Sequence, residues 1–162
     1  MRRRGNMILE AALWIPILTL LLVGMVQFGK ITYTYYSLKK TLYSAARLLS
    51  VQQGVNFCDE ADASIAAAKN FAVTGTTDGS ADPHIAGFSA DMIQIQMECY
   101  DADSGGLGDC NTSACDSVAG PPRPDFIVVS IPDGYPMQPR IPFLLLDPIP
   151  LRPSVRVPYG GA

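Results

Sequence analysis

The first third of the chain combines an apolar run with an amphipathic one. Nineteen residues from Ala11 to Gly29 carry no charge, and a helix of this length and composition is long enough to cross the hydrocarbon core of a bilayer. Beyond Lys30, apolar residues recur at alternating steps of four and three, the spacing of a helical seam. These residues are Ile31, Tyr35, Leu38, Leu42, Ala45 and Leu49. The pattern predicts one helix over Met7–Val51, about 65 Å long.

Shorter patterns follow this helix. Asp59–Val73 predicts a second helix, because acids occupy its first turn and alanine and isoleucine line one face. Met92–Tyr100 alternates apolar and polar residues, which is typical of a half-buried strand. Phe126–Ile131 has the composition of a buried strand. Leu151–Val157 alternates again, and its proline favours an edge position in a sheet.

The connections between these elements are rich in turn-forming residues. Segments 75–87 and 101–124 are expected to be loops. Repeated prolines between residues 132 and 150 exclude a regular helix there, apart from one turn at Phe143–Leu146. The predicted fold class is therefore α+β: a long N-terminal transmembrane-plus-stalk helix carrying a small extracytoplasmic domain of about three strands and one short helix.

Charge follows a basic, then acidic order along the chain. Residues 1–57 hold seven bases and one acid, whereas residues 58–125 hold twelve acids and two bases. No block joins a dense basic cluster to aromatic residues, so we expect no nucleic-acid partner. The Arg2–Arg4 cluster beside the apolar run should stay cytoplasmic, which places the residues beyond Lys30 on the other side of the membrane.

A cleaved secretory signal is the competing interpretation of the apolar run, since Arg2–Arg4 would form its basic region. The run is longer than the usual core of a signal, and no cleavage pattern of small residues with a polar break follows it. Instead, the helical pattern continues past Lys30. These observations favour an uncleaved span.

Four cysteines lie beyond the span: Cys58, Cys99, Cys110 and Cys115. An even number outside the cytoplasm predicts two disulfides. Three connectivities are open, of which we favour Cys58–Cys99 with Cys110–Cys115, and Cys99–Cys115 is the main rival. A zinc site is less favoured, because the cysteine spacing is irregular and the one histidine, His84, lies in a loop of its own.

Asp101–Asp109 resembles the start of a calcium loop, with acids at the first, third and ninth places and glycine at the sixth. Its candidate ligands are Asp101, Asp103 and Asp109. Two further oxygen ligands are missing, and such residues also form ordinary solvated turns. We expect no cofactor otherwise. No nucleophile or acid pair has a catalytic setting, so we expect no enzyme.

Glu10 places a carboxylate at the head of the apolar run, where a charge costs about 3 kcal/mol and is usually paired or functional. Arg2-Arg3-Arg4-Gly5, followed after four residues by Glu10 and then by Pro16, resembles the processing region of type IV prepilins. The resemblance implies that a membrane peptidase cuts after Gly5 and that Asn6 becomes the first residue. The new ammonium group would then neutralise Glu10 of a neighbouring chain.

The closer likeness is to TadE-like pseudopilins of the tight-adherence (Tad/Flp) pilus system. It is carried by the stretch RRRGNMILEAALWIPILTLLLVGMVQFGK and by Ala45-Ala46-Arg47. Ala11 departs from the family, in which an aromatic residue often follows the glutamate. The resemblance implies a minor pilin or pseudopilin with no chemistry of its own, which takes part in building a pilus for surface adhesion. Its partners would be the prepilin peptidase, other pilin and pseudopilin subunits and the pilus assembly platform.

This resemblance divides the chain into a basic leader (1–5), a transmembrane helix (6–30), a stalk that continues the helix (31–53) and a disulfide-bonded periplasmic domain (54–162). The protein would cross the bacterial inner membrane once, with a cytoplasmic N-terminus, before any incorporation into an extracellular pilus. The alternative is an unprocessed single-span membrane protein whose acidic periplasmic domain binds a ligand or calcium.

Overall fold

The computed structural model describes residues 3–101, 105–110, 115, 123–141 and 146–160. Within them the elements are α1 (Arg3–Ser50), α2 (Ala63–Thr74), a short 3-10 helix (Ala90–Met92), β1 (Gln94–Asp101), β2 (Gly106–Asp109), β3 (Phe126–Ser130), β4 (Tyr135–Met137), β5 (Ile149–Leu151) and β6 (Ser154–Pro158). One antiparallel sheet has the order β2-β1-β3-β6, and β4 pairs with β5 in a separate hairpin. The predicted α+β fold is confirmed, with more strands than the three expected.

α1 is one continuous helix of 48 residues, which corresponds to about 72 Å. It begins four residues before the predicted Met7 and ends one residue before the predicted Val51. Pro16 lies within it. A proline there removes one backbone hydrogen bond, but the helix continues through it.

The hydrophobic core is built around one face of α1. Leu38, Leu42, Ala45, Ala46 and Leu49, which we call the buried seam, are all fully buried. The seam packs against α2, β3 and β6, and the inward side chains of the two strands alternate with outward ones, as in any sheet with one buried face. The predicted seam is thus confirmed over its second half. Tyr35, nearer the N-terminus, is 39% exposed.

α2 begins at Ala63, four residues after the predicted Asp59. Asp62 is the N-cap, and its carboxylate accepts a hydrogen bond from the Ser64 backbone N–H at 2.8 Å. Burial opposes ionisation of Asp62, but hydrogen bonds from backbone N–H groups, that of Ser64 foremost, hold its pKa below the ordinary value. The acids predicted for the first turn of the helix therefore precede it: Asp59 accepts from the Ala61 N–H before the helix, and Asp62 caps the helix through the Ser64 N–H.

The strands differ from prediction mainly where the sequence lacks alternation. β1 and β3 match the predicted strands to within two residues at each end. β2 was expected to be loop, and the predicted strand Leu151–Val157 divides at Pro153 into β5 and β6. β6 lies at the edge of the sheet, the position that Pro153, directly before it, favoured in the prediction. The single turn predicted at Phe143–Leu146 lies outside the described residues, except for Leu146.

We expect Leu42→Ala to lower the free energy of unfolding by about 2–5 kcal/mol, because it leaves a cavity where the seam meets the sheet. The matched control is Leu22→Ala, the same change at a side chain that is 64% exposed, which should change stability by no more than about 0.5 kcal/mol. Thermal unfolding of the full chain in detergent micelles measures both. An equal loss in the two variants would contradict the central place of the seam.

Candidate functional site

Most of the half of α1 before the seam is not covered by the other residues that the structure describes. Every described side chain from Leu9 to Leu22 is exposed. The most apolar window of α1 has a mean hydropathy of 2.1 and none of its residues is buried. Within the described residues this is the one helix long and apolar enough to cross a membrane. A helix that is apolar on all sides needs lipid or another protein around it. The helix therefore indicates single-pass membrane anchoring.

Glu10 lies in this exposed half and is itself exposed. Among the described side chains the one ion pair joins Arg156 to Glu98, at 2.6 Å, so Glu10 has no charged partner there. Gly5 and Asn6 lie in the first turns of α1. Asn6 and Glu10 are four residues apart on one helix, about 6 Å along its axis. The helix thus places Gly5 and Asn6, predicted for processing, within about two turns of Glu10, predicted for assembly. These roles stay predictions.

The end of the apolar half nearer the buried seam makes a contact that the sequence did not reveal. The side-chain amide of Gln27 donates a hydrogen bond to the backbone carbonyl of Arg140 at 2.5 Å. Arg140 follows β4, whose last residue, Met137, is buried in the core and pairs with Ile149 of β5. The end of the β4–β5 hairpin therefore touches α1 eleven residues before Leu38, about 16 Å nearer the N-terminus.

A long helix with an exposed apolar half and an α+β domain packed on its other half defines a membrane-anchored protein with one candidate span. Residues 5–47 match the family model described as TadE-like protein. The match starts at Gly5 and covers the apolar run and most of the seam, 43 of the 162 residues. It confirms the predicted resemblance over this part of the chain and is consistent with a TadE-like pilin of the Tad system. No curated protein and no solved structure matches the chain.

All four cysteines are paired, and the prediction of two disulfides is confirmed. The predicted pairing is wrong. Cys58 is bonded to Cys115 and Cys99 to Cys110, so neither the favoured pairs nor the rival Cys99–Cys115 is formed.

The unpredicted strand β2 explains the error. It pairs antiparallel with β1, so that Gly108 lies opposite Cys99. The pairing continues past the strand, where the Cys110 N–H donates to the Met97 carbonyl at 3.2 Å. This hairpin brings the Cα atoms of Cys99 and Cys110 to 4.8 Å, within the range a disulfide needs. Cys115 is then left for Cys58.

The candidate calcium ligands are spread along the same hairpin. Asp101 lies opposite Gly106, and Asp109 lies opposite Glu98, three register positions away. This separation is about 10 Å along the strand. Asp103 lies outside the described residues. Within the described residues, no group of three or more His, Cys, Asp or Glu side chains is placed to hold a metal ion. Calcium binding stays a prediction.

His84 lies against the end of α2, beside a groove between that end and the stalk. Its backbone N–H donates to the Val73 carbonyl at 2.9 Å. Its imidazole lies 2.6 Å from the position that a Cβ at Gly75 would occupy. Because Gly75 also has φ +77°, only glycine fits this helix end without strain. The contacts of His84 among the described residues are structural. The absence of enzyme activity stays a prediction.

The observed disulfides predict the thiol content of paired cysteine variants. Cys99→Ser/Cys110→Ser should have no alkylatable thiol, since it loses both partners of one bond and keeps the other. Cys58→Ser/Cys99→Ser should expose Cys110 and Cys115 as free thiols. Mass spectrometry after alkylation in denaturant without reductant counts the thiols in each full-length variant. Two free thiols in the first variant would contradict the pairing.

Proposed function

We propose that the protein is a minor pilin or pseudopilin that takes part in assembly of a Tad/Flp-type pilus for surface adhesion, after a prepilin peptidase cuts between Gly5 and Asn6. The match of residues 5–47 to TadE-like proteins carries this proposal. It covers the exposed apolar half of α1, where contacts with other subunits would form. The prepilin peptidase, other pilin subunits and the assembly platform are the proposed partners.

The leader explains why processing would precede assembly. Arg2, Arg3 and Arg4 precede the apolar run, and each arginine costs about 3 kcal/mol to move into the middle of a bilayer. A chain that keeps them is held at the cytoplasmic face. Removing residues 1–5 replaces three guanidinium groups by one ammonium group, so the helix can leave the membrane along its own axis. Because Gly5 lies within α1, this turn would have to unwind in the peptidase.

The lack of a charged partner for Glu10 among the described residues supports the proposal that the subunit assembles with others. The carboxylate is exposed among apolar side chains and has no ion pair within the described residues. Such a charge is costly in lipid and in a protein interior unless it is neutralised. The new ammonium group at Asn6 of an adjacent subunit would neutralise it. Each subunit then offers one acid and one amine, so neighbours can pair repeatedly along a filament.

The orientation of the protein in the membrane follows from the charges before the span and the disulfides beyond it. The arginine cluster favours a cytoplasmic N-terminus, and two disulfides in the folded domain favour an oxidising compartment. We therefore place the domain in the periplasm, where it remains until the subunit joins a pilus.

Processing predicts the mass of the protein in its native membrane. The mature chain should begin at Asn6 and contain 157 residues, which is 162 less five. Intact mass spectrometry of protein purified from cell membranes measures this directly, and a strain lacking the prepilin peptidase is the control. A chain from the complete strain that still begins at Met1 or Arg2 would refute the processing step.

Glu10→Ala should leave membrane insertion intact or improve it, because it removes a charge from the span, while it impairs incorporation with other pilin subunits. Glu10→Gln should behave in the same way, since it keeps the shape and removes only the charge. Thr19→Ala is the matched control, a polar side chain removed from the same exposed half. Membrane fractionation and crosslinking to partner subunits measure the two steps. Normal assembly of both Glu10 variants would show that the carboxylate serves another purpose.

A further inference from the structure

The β4–β5 hairpin reaches from the core of the domain toward the apolar half of α1. Its base is held firmly: Met137 and Leu151 are buried, and the Tyr135 hydroxyl donates to the Ala86 carbonyl at 2.6 Å. Its far end contacts Gln27 through the carbonyl of Arg140. The hairpin therefore projects along the helix from the domain to the last turns of the apolar run.

This contact marks where the hydrocarbon of a bilayer must end. Irregular backbone is not tolerated against lipid tails, and an arginine there is costly. Arg140 and the chain around it therefore lie outside the hydrocarbon, which ends just before Gln27. A core about 30 Å thick takes about 20 residues of helix and begins near Met7. Glu10 is then about one turn inside the opposite boundary.

The residues at this level have the chemistry of a membrane interface. On α1, Lys30 is followed by Tyr33 and Tyr36, which are 75% and 73% exposed; aromatic rings of this kind favour the headgroup layer. On the hairpin, Leu146 and Ile149 are 39% and 40% exposed. Arg140 is exposed on the same end of the hairpin.

We infer that the described residues at the end of the β4–β5 hairpin, 138–141 and 146–149, lie in the phospholipid headgroup layer on the domain's side of the membrane. Leu146 and Ile149 enter the boundary with the acyl chains, and the Arg140 guanidinium binds lipid phosphate. Asp147 is the one acid between residues 138 and 149 and offsets the charge of Arg140, so the apolar contacts are essential to the binding. The inference rests on α1 crossing the membrane and not on pilus assembly.

The paired native cysteines make a direct depth measurement possible, because a single introduced cysteine takes up a fluorophore specifically. The full chain with Leu146→Cys is labelled and reconstituted into vesicles of phosphatidylethanolamine and phosphatidylglycerol. Part of the lipid carries a nitroxide quencher, either on the headgroup or deep in the acyl chain. Leu18→Cys, near the middle of the span, and Val51→Cys, 24 residues beyond Gln27, are the matched labels.

The label at Leu146 should be quenched strongly by the headgroup nitroxide and weakly by the deep one. The label at Leu18 should respond to the acyl-chain nitroxide, and the label at Val51 to neither. Quenching at Leu18 without quenching at Leu146 would overturn the inference while leaving the span intact. Absence of quenching at Leu18 would overturn both. A label at Leu146 that is shielded from aqueous iodide but insensitive to both lipids would mean that another copy of the chain covers the hairpin, which also contradicts the inference.

Arg140→Gln separates the charge from the apolar contacts. A single arginine at an anionic surface is worth about a fivefold shift in binding, so the variant should shift the hairpin about fivefold toward the unbound state, seen as reduced headgroup quenching at Leu146. Arg47→Gln is the control, an exposed arginine on α1 twenty residues beyond Gln27. Equal quenching in the Arg140 variant and the unmodified chain would exclude a phosphate contact by Arg140.

Discussion

Burial of one face of α1 is the constraint on which the structure depends. The buried seam supplies the surface on which α2, β3 and β6 pack. A small unit of short strands buries little apolar surface by itself, and the long helix adds what is missing. The domain and the membrane-proximal helix are consequently one packed body. Division of the chain at residue 53 into stalk and domain describes its sequence, whereas the core extends across that boundary.

The sequence pattern predicted those helices and strands that form because of their own residues, and missed those that depend on a partner elsewhere in the chain. The four-and-three spacing located the face of α1 that is buried, alternation located β1, and an apolar, β-branched composition located β3. β2 was not predicted, because Gly106–Asp109 contains two glycines and no apolar alternation. It forms a strand because it pairs with β1. The disulfide pairing failed for the same reason. Cysteine proximity depends on the register of two strands, one of which could not be recognised.

The part of the candidate site that interrupts a local sequence pattern could be predicted, and the rest could not. Glu10 is evident because a charge breaks an apolar run, and it lies within residues 5–47, which match the TadE-like model. The contact between Gln27 and Arg140 joins residues 113 positions apart and leaves no local signal. It depends on the hairpin's base being fixed in the core, which only the folded chain shows. The two ends of the apolar half thus differ. Glu10 at one end can be recognised from the sequence, whereas the contact of Gln27 at the other end can be recognised only from the folded structure.

The uninterrupted course of α1 has a mechanical consequence. No flexible linker separates the apolar half from the domain, since one hydrogen-bonded helix runs from Arg3 to Ser50. From Gln27 to Ser50 this helix forms a lever about 35 Å long, so a tilt of about 20° displaces its far end sideways by about 12 Å. Tension applied to the domain is likewise transmitted along the helix axis to the apolar half, because no flexible segment between them can extend. A machine that pulls on the folded domain would therefore pull directly on the end that carries Glu10.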